Sequence, residues 1–129
     1  MLPIVHLFAG LMLTGMLFPF IGISSLLILF ATYFIDVDHY FYCVFKHRIY
    51  SLKECISFHK KDLGRDELHI FHTIEFWILL AIASIYSTFF LLISIGIFYH
   101  LAFDFLNIHI YSLYNRRTFS LYTWIRRRI

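Results

Sequence analysis

Residues 69–104 read HIFHTIEFWILLAIASIYSTFFLLISIGIFYHLAFD, an apolar stretch with histidines and acidic residues near its two ends. The stretch belongs to two apolar runs, residues 68–86 and 89–110, on either side of a minimal turn at residues 86–88. Runs of 19 and 22 residues are long enough to cross a bilayer as helices, at 1.5 Å of rise per residue. Two helices joined by a tight turn run antiparallel, so we expect the polar residues at both ends on the same side of a membrane.

The composition of the whole chain indicates a membrane protein. Of its 129 residues, 60% are hydrophobic and 15% are charged, whereas soluble domains average about 45–50% and about 25%. Two further apolar runs precede the quoted stretch, and Pro19 and Gly22 mark a tight hairpin between them. We therefore predict an all-α fold, a single integral membrane four-helix bundle of residues 1–129, with spans at about residues 3–20, 22–42, 68–86 and 89–110.

Two polar segments lie outside the predicted spans. Residues 46–67 contain a capping box at residues 51–54 and apolar residues at helical spacing. This pattern predicts a short interfacial helix between spans 2 and 3. The C-terminal tail, residues 111–129, carries aromatic residues and five arginines but no nucleic-acid-binding motif. Anionic membrane lipids, rather than nucleic acid, are therefore its expected partner.

The distribution of basic residues predicts the topology. All eleven lysines and arginines fall within residues 46–65 and 116–128, on the side that also receives the N-terminus. Because lysine and arginine accumulate on the cytoplasmic side of membranes, we expect both termini in the cytoplasm. The two cysteines, Cys43 and Cys55, are then expected to be free thiols, since the cytoplasm is reducing.

Each of the four predicted spans brings histidine or acidic side chains to this cytoplasmic layer. An ionised side chain at bilayer depth costs roughly 2.5 kcal/mol or more, and no lysine or arginine lies within the spans to pair with it. A metal ion is an alternative partner, and spacings of i,i+3 and i,i+4 place pairs of these residues on one helix face. The nine candidate metal ligands are His6, Asp36, Asp38, His39, His69, His72, Glu75, His100 and Asp104.

The ligand types limit the choice of metal. Imidazole mixed with carboxylate suits zinc, manganese or iron better than calcium, and we expect one or two divalent ions, zinc before the others. Asp38 and Glu75 are the candidate catalytic residues. Glu75 is the expected general base, because a deep carboxylate without a cationic partner should have a raised pKa. The expected core ligands are Asp36, His39, His72, His100 and Asp104.

The order of these residues resembles the motifs of the membrane-bound metal-dependent hydrolase-like family of small bacterial and archaeal proteins. That family carries an early histidine, an Asp-x-Asp-His motif after the second hydrophobic run, a histidine motif opening the third and His-x-x-x-Asp in the fourth. The matching residues here are His6, Asp36-Val37-Asp38-His39, His72-Thr73 and His100-Leu101-Ala102-Phe103-Asp104. The resemblance implies a bacterial or archaeal cytoplasmic membrane. Because the family is similar in motif style to zinc-dependent phospholipase C, it also implies phosphoester hydrolysis.

Three hypotheses for the function follow. The first is a hydrolase in which a metal-activated water attacks a phosphoester of a lipid headgroup or polyprenyl phosphate at the cytoplasmic leaflet. The second is a non-catalytic membrane subunit or assembly factor with a structural metal site, within an oligomer or larger membrane complex. The third is an ion or proton pathway, which the lack of charged residues toward the other leaflet disfavours. In the first hypothesis, the phosphate would be attracted by Lys60, Lys61, Arg116 and Arg117.

Overall fold

The described part of the chain is almost entirely helical. The computed structural model describes residues 3–62, 68–110 and 118–129. These residues form seven α-helices: α1 (Pro3–Ile21), α2 (Leu26–Phe34), α3 (Val37–His47), α4 (Leu52–Asp62), α5 (Ile74–Tyr86), α6 (Thr88–Ile110) and α7 (Leu121–Arg126). Two 3₁₀ turns, Gly22–Ser25 and Ile70–His72, complete their regular structure, and the described residues contain no β-strand. The all-α prediction is confirmed, and α4 lies where the interfacial helix is predicted.

Two helical segments are long and apolar enough to cross a membrane. They are Ile4–His47, which includes the hairpin after α1, and Thr88–Leu106 within α6. The apolar helix α5 has 13 residues, about 20 Å of helix, whereas the hydrocarbon core of a bilayer is about 30 Å thick. The arrangement of four spans in a membrane stays a prediction.

The hairpin after α1 forms where a glycine permits it. Gly22 has a φ of +57°, in the left-handed region that residues with a Cβ rarely adopt, and it opens the first 3₁₀ turn. The Ser25 hydroxyl donates a hydrogen bond to the Gly22 carbonyl at 2.8 Å, and the Thr14 hydroxyl donates to the Ser25 carbonyl at 3.4 Å. The turn lies at the predicted place, although Pro19 remains inside α1.

The predicted span 22–42 is divided into shorter helices. Residues 35 and 36 interrupt it between α2 and α3, and α3 continues beyond the predicted boundary to His47. Asp36 stands at the N-cap position of α3 with φ −74° and ψ 0°, and its carbonyl accepts the His39 N–H at 3.1 Å. The interruption matters because it lies inside the Asp36–His39 motif.

The predicted span 68–86 becomes α-helical only at Ile74. His69 and Thr73 have extended backbones, and Leu68 pairs with Thr118 in an isolated parallel bridge. The Ile74 N–H donates to the Phe119 carbonyl at 2.9 Å. The prediction of a helix over residues 68–73 is wrong, because backbone pairing with the tail replaces the helical hydrogen bonds.

Contacts divide the chain into two compact units. The first is Met1–Ile35 with Ile78–Ser112, and the second is Asp36–Trp77 with Leu113–Ile129. The expectation of one membrane domain stays a prediction.

In the first unit, α2 packs closely on α6 and also on α1. Gly96 of α6 makes the close approach possible, since a Cβ there would lie 2.5 Å from the Ile28 carbonyl oxygen and 2.9 Å from the Ala31 Cβ. The Thr32 hydroxyl lies 2.8 Å from the Ile28 carbonyl oxygen and 3.1 Å from that of Gly96. A hydrogen bond therefore joins α2 to α6 where the two backbones nearly touch.

In the second unit, Cys43 of α3 and Cys55 of α4 form a disulfide, with Cα atoms 5.9 Å apart. This corrects the prediction of free thiols. The prediction followed from the expected compartment, and the sequence did not show that α3 and α4 bring the two side chains together. The cysteines are 12 residues apart, and a cross-link closing a loop of this size typically stabilises by about 3 kcal/mol.

We expect Gly96→Ala to lower the free energy of unfolding by about 1–3 kcal/mol, because the new methyl group would overpack the contact between α2 and α6. Gly15→Ala is the control, since its Cβ would meet no atom within 4 Å. Thermal unfolding of both variants in detergent measures the difference. Equal melting temperatures for the two variants would contradict the close packing at Gly96.

Candidate metal centres

The first unit holds two histidines and one aspartate together in its interior. His6 comes from α1, while His100 and Asp104 come from one face of α6, as their i,i+4 spacing predicts. The His6 Nε2 atom lies 3.4 Å from Asp104 Oδ1, and the His100 Nε2 atom lies 3.9 Å from Asp104 Oδ2. The two imidazole rings stack with centroids 3.7 Å apart, and all three side chains are buried.

A hydrogen bond to α2 fixes the protonation of His100. Its Nδ1 atom lies 2.8 Å from the Thr32 carbonyl oxygen. A carbonyl can only accept, so Nδ1 carries the proton of the neutral ring and Nε2 presents a lone pair toward the Asp104 carboxylate. Two electron-rich groups facing each other need a cation or a proton between them. A backbone carbonyl on the other ring nitrogen is also the usual support of a metal-bound histidine.

The second unit holds a matching set at the start of α3. Asp36 stands at the N-cap position of α3, His39 follows three residues later, and His72 belongs to the 3₁₀ turn Ile70–His72. The Asp36 Oδ1 atom lies 3.5 Å from His39 Nε2 and 3.6 Å from His72 Nε2. The His72 side chain is buried, whereas those of Asp36 and His39 are about one-fifth exposed. This set therefore has a buried ligand and an open side.

The distances in both sets fit a shared metal ion better than direct hydrogen bonds. An N–H···O bond is about 2.9 Å long, whereas two ligand atoms each about 2.1 Å from a tetrahedral ion lie about 3.4 Å apart. The separations of 3.4, 3.5 and 3.6 Å match the second arrangement, whereas the 3.9 Å between His100 Nε2 and Asp104 Oδ2 is longer. Two histidines with one carboxylate suit zinc, and the same combination occurs in non-haem iron sites. The residues present in each unit therefore fit a divalent cation.

Asp38 supports the second set by contacting the His72 ring nitrogen that does not face Asp36. Its Oδ2 atom accepts the Phe71 N–H at 3.0 Å and lies 3.3 Å from Nδ1 of His72. A carboxylate on the second nitrogen orients an imidazole and raises its basicity. The Oδ1 atom of Asp38 is buried and has no hydrogen-bond partner among the described residues. The interruption of the helix before Val37 allows Asp36 and Asp38 to contact the same imidazole.

His69 lies beside the second set. Its ring is buried and lies 3.6 Å from the His39 ring, measured between centroids. Ligand atoms of Asp38, His39 and His69 lie within 4.8 Å of one another, which is a possible second ion position in this unit. The expected helical i,i+3 pairing of His69 with His72 is wrong, because His69 is extended and precedes the 3₁₀ turn.

Glu75 is directed to the tail and contacts neither set. Its Oε1 atom accepts hydrogen bonds from the Ser120 hydroxyl at 2.7 Å and the Tyr122 N–H at 3.2 Å, and Oε2 accepts the Leu121 N–H at 3.0 Å. The carboxylate therefore caps α7, where the first N–H groups lack helical partners and the helix dipole favours negative charge.

The capping contacts also decide the protonation of Glu75, which lies outside the two segments long enough to cross a membrane. The Leu121 N–H, followed by the Ser120 hydroxyl, lowers the pKa of Glu75 from 4.5 to about 2. The expectation of a raised pKa is wrong, because the N-terminus of α7, rather than a cation, stabilises the charged carboxylate of Glu75. The general-base role of Glu75 loses its physical support.

One cluster was missed by the sequence reasoning. His59 of α4, which is not among the nine predicted ligands, has its Nε2 atom 3.4 Å from Cys43 Sγ. The i,i+4 spacing of Cys55 and His59 is the sequence signal that could have indicated it. The side chains of Lys60 and Lys61, and residues Arg116 and Arg117, lie outside the described part of the chain. Their role toward phosphate stays a prediction.

Comparison of the chain with protein-family models, curated proteins and solved structures finds no match. The resemblance to the membrane-bound hydrolase-like family therefore stays a prediction that rests on the motifs alone. The geometry of the two sets carries the functional argument.

We expect Glu75→Gln to loosen α7, because an amide offers one acceptor oxygen where the carboxylate offers two. Amide hydrogen exchange at Leu121 and Tyr122 should become several-fold faster. Glu54→Gln, an exposed substitution in the first turn of α4, is the control and should leave these amides unchanged. Equal exchange rates in both variants would contradict the capping role.

The same contact predicts a pH dependence. The folded pKa of Glu75 is depressed, so its contribution is fully present above pH 4.5 and is lost as the pH falls toward about 2. Exchange at Leu121, corrected for intrinsic rates, should report this loss in the wild type and not in Glu75→Gln. Protection that is independent of pH over this range would show that the carboxylate does not hold α7.

Proposed function

We propose that the protein is a membrane-embedded, metal-dependent hydrolase that acts on a phosphoester of a lipid headgroup or polyprenyl phosphate. The observation that supports this proposal is a set of two histidines and one aspartate in each unit, at distances suited to a shared ion. Three protein ligands leave a coordination position for substrate or water, as in catalytic zinc sites, whereas structural sites have four protein ligands. The phosphoester class rests on the motif resemblance.

The surface composition supports a membrane location. Large apolar side chains of α1, namely Phe8, Met12, Met16 and Phe20, are all more than half exposed. Among the described residues, twelve polar or charged residues are buried, against ten apolar ones. Soluble proteins bury mainly apolar residues, whereas in lipid the polar side chains face the protein interior. We propose that the protein is embedded in a cytoplasmic membrane, with both termini in the cytoplasm.

The residues of the second unit have distinct roles in this proposal. The chemistry that a bound divalent cation supplies is Lewis-acid polarisation of a phosphoryl oxygen and acidification of a water molecule. Asp36, His39 and His72 hold the cation, and Asp38 fixes the His72 ring through Nδ1. We assign the second oxygen of Asp38 to receive the proton of the attacking water, because it is buried and has no hydrogen-bond partner among the described residues.

The hydroxyl groups of the first unit argue against an ion or proton pathway. Ser84 donates to the Leu80 carbonyl at 2.8 Å and lies 2.6 Å from the Ser94 hydroxyl. The Thr14 hydroxyl bonds to the Ser25 carbonyl. These groups complete hydrogen bonds within and between helices and form no charged relay. The remaining alternative is a non-catalytic metal-binding subunit. A hydrolysis assay distinguishes it from the hydrolase.

We expect His100→Ala and His72→Ala each to remove at least one metal ion per chain, because each deletes a ligand of one set. His47→Ala is the control, since His47 packs on the Phe58 ring and belongs to neither set. Elemental analysis of protein purified in detergent gives the metal content. Unchanged metal in both ligand variants would refute the assignment of the sets.

Substitutions of the two aspartates near His72 should separate metal binding from turnover. Asp36→Asn removes the negative charge of a ligand and should abolish both. Asp38→Asn should weaken metal binding by about 10–100-fold. At saturating metal it should still lower turnover by about 10²-fold or more, through loss of the proton acceptor.

The assay is release of phosphate or headgroup from a panel of phospholipids and polyprenyl phosphates, with zinc, manganese or iron supplied. Folded, metal-loaded wild type that hydrolyses none of them would favour the non-catalytic subunit. Full activity of metal-saturated Asp38→Asn would remove the role assigned to that residue.

A further inference from the structure

A second kind of ligand cluster lies between α3 and α4 of the second unit. Cys43 and Cys55 are almost completely buried and His59 is half-buried. The His59 Nε2 atom lies 3.4 Å from Cys43 Sγ, and ligand atoms of all three residues lie within 4.8 Å of one another. The disulfide therefore has an imidazole nitrogen directly beside one of its sulfur atoms.

We propose that Cys43, Cys55 and His59 form a redox-controlled site for a soft metal ion, with Zn²⁺ as the expected occupant. Two thiolates and one imidazole prefer zinc to the hard cations that carboxylates bind. The site is empty when the disulfide is formed and available when the two thiols are reduced. It is independent of the hydrolase proposal, because it shares no metal-ligating side chain with the aspartate-containing sets.

Metal binding and the disulfide exclude each other for a chemical reason. Only the thiolate form of cysteine is a metal ligand, and the sulfurs of a disulfide are bonded to each other and no longer carry the thiolate's negative charge. On oxidation, two thiolates lose two electrons and form the S–S bond. The electrons reduce a small-molecule disulfide, such as oxidised glutathione, whose two sulfurs take up two protons and leave as thiols. The metal ion is released in the same step.

The contact of His59 with the chain of α3 supports this exchange. Its Nε2 atom lies 3.3 Å from the His39 carbonyl oxygen. Since a carbonyl only accepts, Nε2 donates its hydrogen there in the disulfide form. When the thiols are reduced, the same nitrogen can bind the metal once its proton has left, because metal ligation requires the deprotonated nitrogen. Cys55 Sγ lies 3.7 Å from the same carbonyl oxygen, so both side chains of α4 converge on one point.

The exchange between metal and disulfide fits the cytoplasm, which is the compartment predicted for this segment. Disulfides in a reducing cytoplasm are usually transient or redox-sensing, whereas clustered cysteine and histidine there often bind metal. The expected sequence of states is a metal-loaded dithiol under reducing conditions and a metal-free disulfide after oxidative stress.

The test uses the full-length protein in detergent with Co²⁺ as the probe. Thiolate ligands give Co²⁺ a charge-transfer absorption in the near ultraviolet that imidazole and carboxylate ligands do not give. The protein is reduced anaerobically with a phosphine, its free thiols are counted after denaturing alkylation, and Co²⁺ is titrated. We expect one thiolate-bound Co²⁺ per chain after reduction and none before. Oxidised glutathione should abolish the band.

Variants identify the ligands. Cys43→Ser and Cys55→Ser should abolish the band, and His59→Ala should weaken Co²⁺ binding more than about 100-fold, since loss of a mere supporting group typically costs 10–100-fold. His47→Ala, which changes another histidine of the α3–α4 contact, should bind like the wild type. Helical circular dichroism identifies any variant that fails to fold.

The wild-type protein alone tests the redox dependence, so this test does not require any variant to fold. Failure of the folded protein to be reduced would overturn the proposal, as would two counted thiols without a band. Unchanged affinity in His59→Ala would overturn the assignment of His59.

Discussion

The hydrogen bond from His100 Nδ1 to the Thr32 carbonyl joins α6 to α2 inside a largely apolar unit. Thr32 itself bonds to the backbone carbonyls of Ile28 and Gly96, so three polar groups meet where the helices approach most closely. A polar group enclosed by apolar surroundings is expensive unless it has a partner. The helix packing and the orientation of a ligand histidine are therefore set by the same few contacts, and neither can change without the other.

The second unit meets the same constraint without a continuous helix. The Asp38 carboxylate accepts a hydrogen bond from the Phe71 N–H, and the Trp77 indole donates one to the Phe71 carbonyl at 3.0 Å. The extended residues before α5 thus find backbone partners in side chains and in the tail. Irregular backbone costs little when each N–H and C=O is bonded in this way. The benefit is that His72 can face two carboxylates at once, which regular helical spacing would not allow.

The sequence predicted many of the helices and ligand pairs. The apolar runs predicted helices at nearly the right places, and the i,i+4 spacing of His100 and Asp104 predicted their pairing. Glu75 and the thiols were predicted wrongly for one common reason, which is that their partners are distant in sequence. The contacts of Glu75 with the Ser120 hydroxyl and the Leu121 and Tyr122 amides depend on tertiary folding, as does the α3–α4 contact. Local patterns of charge or hydropathy carry no information about them. The extended backbone at His69 has the same origin.

The bonding of residues 118–122 to Leu68 and to the first turn of α5 imposes an order on assembly. The partner of Glu75 at Ser120 is made 45 residues later in the chain. At about 5–20 residues per second, Glu75 waits on the order of seconds for this partner. The helix α6 is synthesised during that interval, and the hydrogen bonds of Glu75 are complete only when translation has passed residue 122.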